Sequence, residues 1–208
     1  MTADRYSARR IGDRLLLDVV DAAFADSTRR AGTWCACRVG CTECCHGPFP
    51  VNALDAWRLR EGLAALEALD PERAEAVRAR ARDAVQQMTA GFPGEVETGM
   101  LGADERAEDT FCERHAKLAC PALDPATGAC DLYASRPISC RTFGPPVRFG
   151  EQELAPCRLW FADAPREVVE TARVEPDPED QERDLLETVN AEGETGDTFV
   201  AFALTRQG

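Results

Sequence analysis

The chain has 208 residues, 44% of them hydrophobic, which suits one domain or one domain with an appended arm. Leu, Ile, Val and Phe supply only 41 of the 208, the low edge for a folded chain, so a core filled out with alanine needs a second source of stability, for which the ten cysteines are the candidate. A net charge of −13 argues against a nucleic-acid partner and an anionic membrane surface, because phosphate binding needs a basic face, and neither is expected.

Apolar residues at spacings of three and four predict a first helix over Arg9 to Arg29, with Ile11, Leu15, Val19, Ala22 and Ala23 facing inward and Gly32 ending it. The stretch from Thr33 to Pro50 reads as irregular and holds five cysteines. A second helix over Asn52 to Leu69 places Leu54, Trp57, Leu63 and Leu66 on one side. Asp70-Pro71 then caps a third, which turns Ala74, Val77, Ala81, Val85 and Met88 inward and runs to about Ala90, before Gly91-Phe92-Pro93-Gly94. A short helix follows from about Asp104 to Lys117.

The segments around Cys120 and Cys130 read as a hairpin closed by the loop Asp124 to Gly128. Pairing Leu123 with Ala129 makes the two cysteines diagonal neighbours on one face, roughly 7–8 Å apart at the backbone. Arg136-Pro137 opens a helical turn carrying Cys140, and a small hairpin, Val147 to Phe149 with Glu153 to Pro156, delivers Cys157. From Asp163 to Asp197 the chain carries 13 acidic and 3 basic residues, with a helix near Pro178 to Asn190. Phe199 to Leu204 is apolar and is expected to dock on the core. The expected organisation is a helical and cysteine-cluster domain over residues 1–162, its metal core within 35–157, and an acidic extension over 163–208 that packs back on it. The fold class is α+β, mainly helical, with a small irregular cysteine-rich core and short β-hairpins.

No run approaches the roughly 20 apolar residues of a membrane span, and the polar start, Met1 to Arg10, is unlike a signal peptide. The expected location is therefore cytoplasmic, where thiols stay reduced and clustered cysteines point to metal or redox chemistry. Cys37-x-x-x-Cys41-x-x-Cys44-Cys45 is the strongest feature. A thiolate-ligated metal needs several sulfurs about 2.3 Å from one ion, and a short loop brings them together with few residues to order. Gly40 lets that loop turn before Cys41. Adjacent Cys44 and Cys45 are expected to point in different directions, serving two sides of a cluster or two metals. Cys120, Cys130, Cys140 and Cys157 supply four more thiols, and Cys120-Pro121 matches the Cys-Pro step of some iron–sulfur runs.

These pieces resemble the YkgJ-type cysteine-cluster family, also called the CxxCxxCC zinc- or iron-chelating domain. The matching residues are Cys37 to Cys45, Pro48-Phe49-Pro50 with Leu54-Asp55, Cys120-Pro121-Ala122-Leu123, Gly128 to Tyr133 and Arg136 to Arg141. The resemblance covers roughly Cys37 to Cys157 and implies about eight cysteines binding zinc or an iron–sulfur cluster. Here Cys37 precedes Cys41 by four positions, so Cys35 competes for the first ligand place. The family also resembles part of the flagellin lysine methylases, which implies S-adenosylmethionine-linked methyl transfer as an alternative. The Cys37, Cys41 and Cys44 spacing fits radical S-adenosylmethionine enzymes too, but their large α/β barrel does not fit this chain.

The metal candidates are thus Cys37, Cys41, Cys44, Cys45, Cys120, Cys130, Cys140 and Cys157. Their cofactor is zinc or a 4Fe–4S cluster, with an electron-transfer, sensing or carrier role. Cys35 and Cys112 read as ordinary thiols, His46 as a solvated loop histidine, and His115 as a residue short of partners. Trp34 and Trp57 read as core. Arg136, Arg141 and Arg158 flank candidate ligands, either as partners for thiolate charge or as surface arginines. The acidic arm is a solvated helix or a docking segment for a basic protein.

Overall fold

A computed structural model describes residues 3–191, 193 and 195–206. Met1 and Thr2 of the polar start, Glu192 and Glu194 of the acidic arm, and the last two residues lie outside it. In chain order the elements are α1 (Ala3–Ala31), β1 (Pro50–Val51), α2 (Ala53–Leu69), α3 (Pro71–Met88), β2 (Gly94–Glu95), β3 (Met100–Leu101) and α4 (Glu105–Arg114). They continue with α5 (Ile138–Thr142), β4 (Val147–Phe149), β5 (Gln152–Leu154), α6 (Arg166–Thr171), α7 (Gln181–Ala191), β6 (Thr198–Phe199) and α8 (Val200–Thr205). The protein is a mainly helical α+β structure with short antiparallel strands. No helix among the described residues is long and apolar enough to cross a membrane.

The chain packs as two compact units, Met1–Arg38 with Ile138–Glu192 and Val39–Pro137 with Gly193–Gly208. The expected acidic extension is therefore shared between them. Its helices α6 and α7 pack on α1 in the first unit, and Phe199 to Leu204 is buried within the second.

In the second unit, side chains at the helix starts satisfy the free amides there. Asn52 accepts from the Asp55 amide at 2.9 Å to start α2, and Asp70 accepts from the Arg73 amide at 3.1 Å to start α3, with Pro71 at its first position. The α2–α3 hairpin packs with α8. Leu59 and Leu63 from α2, Ala74, Val77 and Ala81 from α3, and Ala203 and Leu204 from α8 bury one core, and the alanines let the helices approach closely. A second cluster joins Met88, Phe92, Phe111, Phe199 and Phe202. Phe111 stacks on Phe199 at 5.6 Å and Phe92 lies 4.6 Å from Phe202, spacings at which aromatic pairs attract. A four-stranded antiparallel sheet in the order β1-β6-β3-β2 runs past this cluster, pairing Val51 with Thr198 and Glu95 with Met100. Gly99, at φ 66°, makes the turn into β3 beneath Phe202, where a Cβ would sit 2.6 Å from the ring.

In the first unit, α5, α6 and α7 lie along α1, and the β4–β5 hairpin is tied to Val174 by a parallel bridge with Val147. Trp160, Phe161, Ala31 and Ala172 form its apolar cluster, with Trp34 packed against them. The acidic arm's charges are partly met here, where Arg148 pairs with Glu175, Arg173 with Glu170, and Arg183 with Asp180. All of these pairs are at the surface, and such pairs contribute little stability.

Two expectations are corrected. The inward face of the first helix is not Ile11, Leu15, Val19 and Ala22, all of which are exposed; Ile11 and Leu15 are 64% and 58% exposed. Its buried stripe runs along Arg9, Asp13, Leu16, Val20, Ser27 and Ala31. Leu15-Leu16-Leu17 and Val19-Val20 offer two apolar stripes one residue apart, and tertiary contacts choose between them. Ser27 donates to the Ala172 carbonyl, and Asp21 takes Arg141 at 2.8 and 2.9 Å, both from the chosen side's neighbours. The Cys120 to Asp131 segment is also one register away from expectation, with Leu123 bridging Cys130 rather than Ala129. Asp124 causes the shift. Its side chain takes the Ala126 amide and the Thr127 hydroxyl, and its backbone amide bonds the Ala129 carbonyl at 2.8 Å, with Gly128 turning at φ 69°.

The corrected face of α1 has a direct test. Leu16→Ala should lower stability by about 2–5 kcal/mol, as expected for a fully buried leucine, and Leu15→Ala should stay within about 0.5 kcal/mol, both read from urea unfolding. Equal losses at the two positions would contradict this burial.

Candidate metal centre

Five of the eight candidate thiols belong to the second unit: Cys41, Cys44, Cys45, Cys120 and Cys130. Gly40, at φ 83°, turns the chain into Cys41. Cys44 and Cys45 sit on a 3-10 turn over Glu43–Cys45, closed by the Cys45 amide donating to the Thr42 carbonyl at 2.8 Å. From there a short ladder joins two thiol segments. The Cys120 amide donates to the Cys45 carbonyl and the Gly47 amide to the Leu118 carbonyl, each at 2.8 Å, around the His46–Ala119 bridge. Cys130 is brought in by its bridge to Leu123, and Cys120 and Cys130 both pack against the α2–α3–α8 core.

The expectation that Cys44 and Cys45 diverge does not hold, because their sulfurs lie 4.0 Å apart. A 3-10 turn has roughly three residues per turn, so neighbouring side chains stand about a third of a circle apart instead of opposite each other as in a strand. Two sulfurs bound to one tetrahedral ion at about 2.3 Å each would lie roughly 3.8 Å apart, so the pair has the spacing of one edge of a four-thiolate site. Among the described residues, no three His, Cys, Asp or Glu side chains are already arranged to hold an ion. The donor chemistry and the edge length fit a thiophilic metal.

The four sulfurs influence one another electrostatically. Cys44 is drawn down, first by its S–H···S contact with Cys45, with the Arg136 charge helping and burial opposing. Cys45 is pushed upward by that same bond, by burial and by negative charge on Cys44, Cys120 and Cys130. Burial pushes Cys120 up to about 11, and it also raises Cys130, where Arg136 opposes it. The Arg136 guanidinium lies over the Tyr133 ring, 3.6 Å from its centre, and its Nε donates to the Tyr133 carbonyl at 3.0 Å, which fixes a positive charge near these thiols.

The other three candidates, Cys37, Cys140 and Cys157, belong to the first unit. Cys37 is exposed, and its sulfur accepts the Trp160 indole N–H at 3.2 Å. The indole rests on Gly144, where a Cβ would lie 2.8 Å from the ring. The Cys157 amide donates to the Gly144 carbonyl at 2.8 Å, so one glycine seats both the tryptophan and Cys157. Cys140 lies on α5, which the neighbouring Arg141 ties to α1 through Asp21. Cys35, the competitor for the first place, packs in the apolar cluster with Trp34 and Trp160. Trp160 went unnoticed in the sequence, although its place three residues after Cys157 was the available signal.

The remaining candidates have other partners. His46 holds the Thr42 carbonyl through Nδ1 at 2.9 Å. Cys112 packs against the aromatic cluster, and burial pushes it up to about 11. His115 lies 4.5 Å from the Phe111 ring centre, and burial lowers its basicity. Arg158 is exposed. Beside Cys120, a cleft of about 20 Å³ between Pro48, Phe49, Met88 and Val200 has room for about one water molecule.

The thiolate is the reactive form, so metal-free protein treated with iodoacetamide at pH 7 should be labelled at Cys44 before Cys112 and Cys120. Cys112 and Cys120 should react appreciably only well above pH 9. Peptide mass spectrometry reads the order, and equal labelling of Cys44 and Cys112 at pH 7 would contradict it.

The family described as "CxxCxxCC: Putative zinc- or iron-chelating domain" matches residues 36–158. No curated protein and no solved structure matches the chain. The match spans more than half of the 208 residues and contains all eight candidate thiols, and the chain belongs to the CxxCxxCC family of zinc- or iron-chelating domains.

Proposed function

We propose that this protein holds a metal through the thiols of Cys44, Cys45, Cys120 and Cys130, with Cys41 as a further donor in the same unit. The observation that carries the reading is the 4.0 Å separation of the Cys44 and Cys45 sulfurs beside a backbone ladder that brings in Cys120. Thiolates are soft donors that suit zinc and iron alike. The edge length favours a single ion at the Cys44–Cys45 pair over a 4Fe–4S cluster, in which each thiol serves a different iron. Four thiolates around a divalent ion leave net negative charge, and Arg136 is placed to offset part of it. Cys37, Cys140 and Cys157 form a second thiol group in this reading, with the Trp160 N–H ready to support a thiolate at Cys37.

A closed four-thiolate ion would make the centre structural, with any further role on the surface. An iron–sulfur cluster would instead support electron transfer or sensing. The cleft beside Cys120 takes about a water molecule and gives no seat for S-adenosylmethionine, so the methyl-transfer alternative draws no support from it.

The test is oxygen-free purification followed by measurement of zinc, iron and acid-labile sulfide per chain. The expected result is zinc or iron near one or two ions per chain, lost when Cys44 and Cys45 are both replaced by serine. Iron with matching sulfide would assign the cluster in place of the ion. Occupancy by neither metal would overturn the proposal.

A further inference from the structure

Cys120 and Cys130 are ten positions apart on a segment with little regular structure of its own. Within it run one bridge pair and four backbone hydrogen bonds, Leu123 to Cys120 at 2.9 Å, Asp124 to Ala129 at 2.8 Å, Gly128 to Asp124 at 2.9 Å and Asp131 to Ala122 at 2.7 Å, and the Cys120 amide ties its start to the Cys45 carbonyl. Metal ligands must be held within roughly half an ångström, and a loop this lightly bonded does not do that alone.

The missing rigidity comes from α3. Arg73 and Arg80 lie seven residues apart on one face of that helix and both reach Asp131. Arg73 Nε meets Oδ1 and Arg80 Nη2 meets Oδ2, each at 2.5 Å, and the Asp131 side chain is only 2% exposed. Arg80 also donates from Nε to the Pro121 carbonyl at 2.8 Å. Pro121 directly follows Cys120, and Asp131 directly follows Cys130. A single planar guanidinium therefore ties together the residues that follow the two thiols.

We propose that Arg80 is a positioning residue for the metal centre, setting the spacing of Cys120 and Cys130 by bridging Pro121 and Asp131. The proposal rests on the metal-binding reading above for its functional part, and its structural part stands apart from it. The two donors of Arg80 leave the guanidinium in fixed directions in one plane, which a lysine ammonium on a flexible stem does not reproduce. The Asp131 side chain is buried, so removing Arg80 leaves Oδ2 desolvated and without its partner while Arg73 holds Oδ1, and it also cuts the tie to Pro121. Arg73, 46% exposed, bonds the Asp131 carboxylate, and among the described residues no bond from it to Pro121 is seen, so its loss should leave the spacing largely intact.

The experiment compares wild type with Arg80→Ala, Arg80→Lys and Arg73→Ala in the full chain, using two readouts. The first is hydrogen exchange of the metal-free proteins. Both Arg80 variants should speed exchange over residues 119–133 and leave α2 unchanged, whereas Arg73→Ala should resemble wild type. The second is zinc affinity by chelator competition, with the cobalt-substituted thiolate absorption as a count of bound sulfurs. Arg80→Ala should weaken zinc about 10–100-fold and reduce the absorption, Arg80→Lys should recover little, and Arg73→Ala should change affinity by less than about threefold. Unchanged exchange and unchanged cobalt absorption in both Arg80 variants would overturn the proposal, as would equal losses in Arg73→Ala. If wild type binds neither zinc nor cobalt, the metal-binding reading fails and takes this assignment with it, while faster exchange in the Arg80 variants would still identify Arg80 as the clamp on that segment.

Discussion

The packing of the α2–α3 hairpin against α8 is the support on which the thiol segments of the second unit rest. Those segments have almost no regular secondary structure, so they cannot define sulfur positions by backbone geometry alone. Leu59, Leu63, Val77, Ala81 and Leu204 make an apolar floor, and Cys120 and Cys130 lie directly against it. Alanine-rich faces on α3 allow close helix contact but bury little area per residue. This explains how a chain with few large aliphatics builds a core, and why bonds from its helices to the loops matter more than they would in a thicker fold.

Charge is used sparingly and locally. The chain is strongly acidic overall, yet the thiol region meets arginines in three places: Arg136 beside Cys44 and Cys130, Arg80 and Arg73 on Asp131, and Arg141 next to Cys140 on Asp21. Each holds a segment that carries a candidate ligand or offsets charge that thiolates would bring. Arginine suits this task because its planar fork spans a carbonyl and a carboxylate at once. The surface pairs of the acidic arm involve the same residue types, but in water they contribute little.

Helix starts and stops were legible because they depend on local chemistry. Asp70-Pro71, Asn52 and the Gly91 to Gly94 run act within one turn of where they stand. The β1-β6-β3-β2 sheet was not legible, since strands of two residues carry no periodic pattern and pair across long separations in sequence. The buried face of α1 was misread because two apolar stripes compete in its sequence. In the site, the cysteines announced themselves by residue type and spacing. The closeness of the Cys44 and Cys45 sulfurs, the Trp160 bond to Cys37 and the Arg80 bridge did not, because each depends on a local turn geometry or a distant partner.

By itself, the sequence determined the residue chemistry: ten thiols, most of them in short loops, in an alanine-rich helical chain whose cysteine pattern places it in a zinc- or iron-chelating family. Composition and short-range capping are properties of neighbouring residues, and they survive without knowledge of the fold. Only the tertiary structure decided which sulfurs stand together, dividing the eight candidates between two packed units and bringing Cys45 to Cys120 through a backbone ladder. The physical reason is that sulfur positions in an irregular loop are set by what the loop is bonded to. Here those partners lie on helices and strands far away along the chain.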